Sequence, residues 1–112
     1  MRERLTKLYA ERDVFLLDSY VAGVQYADEK GDFCDKLKQG EELRFLREPQ
    51  NKFDKRAIVV RYGDVKIGYI PRSDNAVFAR LMDAGKHLFG KISAVEKRGA
   101  VLKIKIKIYL RD

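Results

Sequence analysis

Near the C-terminus, Leu102, Ile104, Ile106, Ile108 and Leu110 alternate with Lys103, Lys105, Lys107 and Tyr109. A period of two puts all five apolar side chains on one face of an extended segment and three lysines on the other. Such a segment is a strand with one side on a core, so the rest of the chain has to cover that side. Upstream residues offer the cover. Ile58, Val60 and Tyr62 alternate with Val59 and Arg61, and Gly63-Asp64 then leads into Val65, Ile67 and Tyr69. Glycine at the first position of a two-residue loop is the type II′ hairpin signal. Pro71 ends that run, because it has no N–H to give to a ladder.

The remaining segments follow the same logic. Leu5, Leu8 and Tyr9 lie at i, i+3, i+4 among charged neighbours, which predicts a short amphipathic helix ending near Asp13. Val14 to Tyr26 is rich in β-branched and aromatic residues and reads as one long strand, with a bulge or a close backbone approach at Gly23. Ala27 to Gly40 reads as an extended loop with one helical turn, and Glu42 to Arg47 as a strand with Leu43 and Phe45 on one face. Ser73 is an N-cap candidate for a helix carrying Val77, Phe78, Leu81 and Met82 on one side and ending at Gly85. Two more strands follow, joined through Lys97-Arg98-Gly99. The expected fold is mainly β with one or two short helices (α+β), a small OB-like, partly closed antiparallel barrel of about six strands. Residues 1–13 form a helical extension and 14–112 the barrel domain, with Phe15, Phe45, Phe78 and Phe89 in its core.

A chain of 112 residues is one domain, and its 46% apolar content is enough for a packed core. No apolar run nears the ~20 residues of a membrane span, and the charged start Met1-Arg-Glu-Arg lacks a signal peptide's apolar centre. The expectation is a cytoplasmic protein without a membrane partner. Cys34 and His87 are single, so an ordinary four-ligand zinc site and an internal disulfide are both excluded, and Cys34 reads as inert. No metal or cofactor is expected. The net charge is +7, and from Lys86 onward eight Lys or Arg face only Glu96 and Asp112. A one-sided cationic surface attracts polyanions, nucleic acid above all, although lysines also keep small β proteins soluble and guard strand edges.

Catalysis finds no support. His87 has no motif around it, no phosphate-cradling glycine loop exists, and pairs such as Asp13/Asp18 or Asp28/Asp32 sit among lysines without acid–base spacing. Binding fares better, because single strands are held by cations for phosphates and by aromatic platforms for bases. Tyr26, at a strand end, and Phe53, in a turn loop, are aromatics placed for exposure. The loop Arg47-Glu-Pro-Gln-Asn-Lys-Phe-Asp-Lys-Arg-Ala-Ile58 concentrates turn residues, that aromatic, a carboxylate and several cations between two strands. Asp54 is its odd member, since a carboxylate repels phosphate. Capping the turn that Asn51 starts is a sufficient reason for it.

This loop, followed by Ile67-Gly-Tyr-Ile-Pro-Arg72 and preceded by Val21-Ala-Gly-Val-Gln-Tyr26, resembles the signature of the HIRAN domain across roughly Val14 to Leu110. The resemblance implies a modified OB-like barrel that binds the 3′ end of single-stranded DNA. It places Tyr26 and Phe53 as two aromatics lining a pocket for the terminal nucleotide, with Asn51 beside them. It gives Asp54 a hydrogen bond to the 3′-hydroxyl and sets Tyr69 and Arg72 near the phosphates. Three positions depart from the pattern: Gln25 replaces an arginine, Lys52 a proline and Arg56 an asparagine. A phosphate contact is thereby lost at Gln25, while Lys52 and Arg56 bring cations close by. The functional expectation is a monomeric, non-catalytic module for single-stranded DNA that works in DNA repair with a helicase or nuclease partner. The alternative is a protein-interaction module that uses the barrel groove for a peptide or acidic partner.

Overall fold

A computed structural model describes residues 12–24, 36–99 and 101–112 of the chain. The expected N-terminal helix, Tyr26, Gln25 and Cys34 lie outside these residues. Six strands form one antiparallel sheet: β1 (Asp13–Tyr20), β2 (Glu42–Arg47), β3 (Ile58–Tyr62), β4 (Val65–Tyr69), β5 (His87–Arg98) and β6 (Val101–Arg111). A single helix, α1 (Arg72–Asp83), separates β4 from β5. The sheet order is β1-β6-β5-β2-β3-β4.

The core lies where the period of β6 requires it. Leu102, Ile104, Ile106 and Ile108 are buried, and Leu43, Phe45, Ile58, Val60, Ile67 and Ile92 complete the cluster from neighbouring strands. Phe78 and Ala79 of α1 close it from one side, against β2 and β5. The β3–β4 turn has positive φ at Gly63 alone, as a type II′ hairpin demands.

The sheet does not close by a continuous ladder. Its two ends are joined at one point, where Ala22, just past β1, bridges Tyr69 of β4. The Ala22 N–H donates to the Tyr69 carbonyl (2.7 Å), and the Tyr69 N–H donates back to Ala22 (2.9 Å). Gly68 makes this approach feasible: a Cβ there would run into the Ala22 carbonyl and a Val21 methyl. This is the OB-like, partly closed form expected from the sequence.

Several local expectations need correction. The first strand stops at Tyr20 and does not run on to Tyr26, because Gly23 (φ +74) turns the chain and sends Val21 and Val24 into the core. The close backbone approach expected at Gly23 occurs at Gly68, while Gly23 has open space where a Cβ would sit. Phe45, Phe78 and Phe89 are buried, but Phe15 is 47% exposed, because β1 is an edge strand and Phe15 points away from the core. Helix α1 begins one residue before Ser73, with Pro71 at the N-cap and no side-chain cap. Proline's fixed φ suits a helix entry and needs no donor there. Val77 lies on the solvent side of α1 and is exposed, whereas Asn75 takes a buried place.

Candidate functional site

Residues 48–57 form a loop folded around Asn51. Its Oδ1 accepts the backbone N–H groups of Phe53 (2.9 Å) and Asp54 (3.1 Å), the turn chemistry natural to an asparagine side chain. Its Nδ2 donates to Glu48 Oε1 (2.6 Å), which also accepts the Tyr69 hydroxyl (3.0 Å). Lys66 donates to that same hydroxyl (2.6 Å). The Asn51 amide, then the Tyr69 hydroxyl and the Lys66 charge, hold the Glu48 carboxyl below the usual glutamate range. Arg47 fastens the loop's far end. It donates to the carbonyls of Ala57 (2.7 Å) and Lys55 (2.9 Å) and pairs with Asp83 of α1 (2.9 Å).

Asp54 is gripped from two sides. Oδ1 accepts the Arg56 N–H (2.9 Å), and Oδ2 accepts Asn75 Nδ2 (2.8 Å) from α1. The Arg72 guanidinium stands 3.8 Å from Oδ2 and donates to the Phe53 carbonyl (3.2 Å). The Arg56 amide, the Asn75 amide and then the charges of Arg72 and Arg56 lower the Asp54 pKa below its ordinary value. The carboxylate is therefore ionised, fixed in direction, and still one-fifth open to solvent. Asp54 thus caps its turn, as turn chemistry alone would have it, and also faces outward.

These groups meet at one cavity of about 460 Å³, lined by Ala22, Gly23, Asn51, Phe53, Asp54 and Ala57, with Tyr69, Ile70 and Arg72 completing the wall. The volume falls in the range of small-ligand pockets, about 300–1,000 Å³. Phe53 is 85% exposed, so it forms a rim and does not plug the barrel end. Five of the eight residues singled out from the sequence, Asn51, Phe53, Asp54, Tyr69 and Arg72, are brought together here. Lys52 and Arg56 do not line the cavity, and Arg56 acts on the site through its backbone N–H and, more weakly, through its charge on Asp54. Tyr26 lies outside the described residues.

Sequence reasoning missed Glu48 and Asn75 as members of this network. Glu48 had a visible signal, since it sits within the motif three residues before Asn51. Asn75 had none beyond being an amide in a helix otherwise read for its apolar face. Among the described residues it is the one buried polar side chain.

The HIRAN domain family model matches residues 14–111. The chain belongs to the HIRAN domain family. No curated protein matches its sequence. The crystal structure of a protein from Lactobacillus plantarum shares 28% identity and a TM-score of 0.79, covering 88% of this chain and 95% of that one. The crystal structure of the HIRAN domain of human HLTF superposes with a TM-score of 0.65 at 20% identity, covering 88% of this chain and 78% of the other. An NMR structure of the HLTF HIRAN domain gives 0.57 at 18% identity, over 89% and 80%. At those identities the two HLTF comparisons speak for the fold.

Proposed function

We propose that this HIRAN domain is a DNA-binding module that takes the last nucleotide of a single strand, with its free 3′-hydroxyl, into the cavity. The observation that carries the reading is the pairing of an exposed aromatic, Phe53, with a fixed, ionised Asp54 in one pocket. An aromatic face stacks on any base, for about 1–3 kcal/mol. A carboxylate beside DNA is unfavourable unless it accepts a hydrogen bond, and the free 3′-hydroxyl is a sugar donor that internal DNA nucleotides lack and that is independent of base identity. Arg72, at the same wall, meets the phosphate that precedes that nucleotide, and Tyr26 is the second stacking partner. Family membership supports the reading at the level of nucleic-acid binding. The domain does no chemistry itself, and any cutting or unwinding belongs to a partner such as a helicase or nuclease.

The test uses short labelled strands that differ only at the 3′ terminus. The native protein is expected to bind a 3′-hydroxyl strand clearly better than its 3′-phosphate counterpart, whose added charge repels Asp54. Asp54→Asn, which keeps the size and removes the charge, should erase most of that penalty. No measurable binding of any strand at low salt would overturn the DNA reading in favour of a peptide in the groove.

A further inference from the structure

The opposite face of the sheet carries a second set of groups that the cavity does not use. Phe15 on β1 meets Tyr109 on β6 edge-on at 5.7 Å, and Tyr109 stacks on Phe89 of β5 at 5.4 Å. Phe89, though buried, is absent from the main core cluster, because it lies under this outer row. Cations sit over all three rings: Lys107 over Phe15 (5.0 Å), Lys91 over Tyr109 (5.0 Å) and Arg111 over Phe89 (4.2 Å). The register shift between Phe15 and Leu17 has a consequence for this face. Strict alternation would send Phe15 and Tyr20 to opposite sides, but the bulge brings both outward, opposite Tyr109 and Lys105. Bulges that re-aim side chains are common where a sheet serves a function. Both rings are nearly half exposed, at 47% and 44%.

The charge on this face is unbalanced. Asp13 and Glu42 both pair with Arg111, Asp18 with Lys107 and Glu96 with Lys105. That uses every acid carried outward by β1, β2, β5 and β6. Lys91, Lys103, Arg44 and Arg98 share the face and make no ion pair among the described residues. We infer that this face is a second contact surface for single-stranded nucleic acid, engaging phosphates and bases without regard to strand ends. Exposed aromatics interleaved with surplus cations are what a single strand requires, and the surplus sign is complementary to phosphate. Ala22 and Gly23 of the cavity wall lie two and three residues after Tyr20 in the chain, so the face starts close to where the cavity ends. The inference does not depend on end recognition.

The experiment compares labelled oligothymidylates of about 4 and about 20 nucleotides, with native protein and a Tyr20→Ser, Lys91→Gln, Lys103→Gln variant. The variant should bind the long strand about tenfold or more weakly, with a flatter salt dependence, and the short strand within about twofold of native. The same loss should appear with a circular strand, which has no end to read. An equal effect on both lengths, or none on either, would overturn the proposal. So would a loss seen only for an acidic peptide such as oligoglutamate. Should the variant fail to fold, amide shifts of the native protein decide: the long strand alone should move β1, β5 and β6, and shifts confined to the cavity loop would refute the second surface.

Discussion

Asp54 is ionised and aimed by its neighbours, so its proton should matter only in acid. Its folded pKa is lowered by the Arg56 and Asn75 hydrogen bonds and by Arg72. A depressed carboxylate contributes stability that is present above the unfolded value, about 3.9, and is lost as pH falls through the folded pKa. Native protein and Asp54→Asn should therefore lose their difference in melting temperature only below that range. The preference for a linear 3′-hydroxyl strand over a circular one, neither of which carries a terminal phosphate that titrates near about 6, should stay level from neutral pH down to about 4. A change between pH 6 and 7 would assign discrimination to another group. Asn75→Leu removes the amide that grips Oδ2, so the Asp54 pKa should rise when followed by carbon-13 NMR titration. Phe53→Ala should weaken strand binding by about 1–3 kcal/mol and leave the melting temperature unchanged, since the ring is 85% exposed. Asn51, Phe53 and Asp54 were legible in the sequence because an asparagine-started turn is local chemistry. Asn75 was not, because its partner lies 21 residues away and only tertiary packing brings them together.

At the level of elements, the cavity depends on how two ends of one sheet meet. Gly68→Ala would push a methyl into the Ala22 backbone and separate β4 from the chain past β1. Overpacking of this kind costs about 1–3 kcal/mol, so the variant should melt earlier and lose strand affinity together. Unchanged melting would show that the Ala22–Tyr69 bridge contributes nothing to closure. Phe45→Ala, by contrast, removes a core ring from the sheet centre and should cost about 3–5 kcal/mol in denaturant unfolding. The strands were legible wherever apolar residues alternated, most clearly in β6 and in the β3–β4 hairpin. The end of β1 was not, because Val21 and Val24 are as apolar as strand residues and only the turn at Gly23 separates them. Phe15 was misassigned for a related reason. An aromatic in an edge strand has two faces to choose from, and the bulge that decides between them leaves no pattern in the sequence.

Across the whole molecule, the net charge of +7 predicts attraction to polyanions, and the fold shows where that charge is spent. The lysines of β6 are not the uniform stripe their spacing implies, because Lys105 and Lys107 are paired with Glu96 and Asp18. Cations outside the ion pairs among the described residues, Lys91, Lys103, Arg44 and Arg98, instead lie across several strands, which no reading of one segment could reveal. Short strands should contact only about 2–4 phosphates, so log K should fall against log salt with a slope of about −1.5 to −3. A much steeper slope would mean that strands as short as these already span the outer face. The central claim is that the cavity reads a free end, and competition by unlabelled strands tests it most directly. A linear single strand with a 3′-hydroxyl and a circular strand of the same sequence are titrated against a labelled 3′-hydroxyl oligonucleotide bound to the protein. The account predicts that the linear strand displaces the label from the cavity at clearly lower concentration than the circle. Equal displacement by the two would contradict it and leave Asp54 as a residue that only shapes its turn.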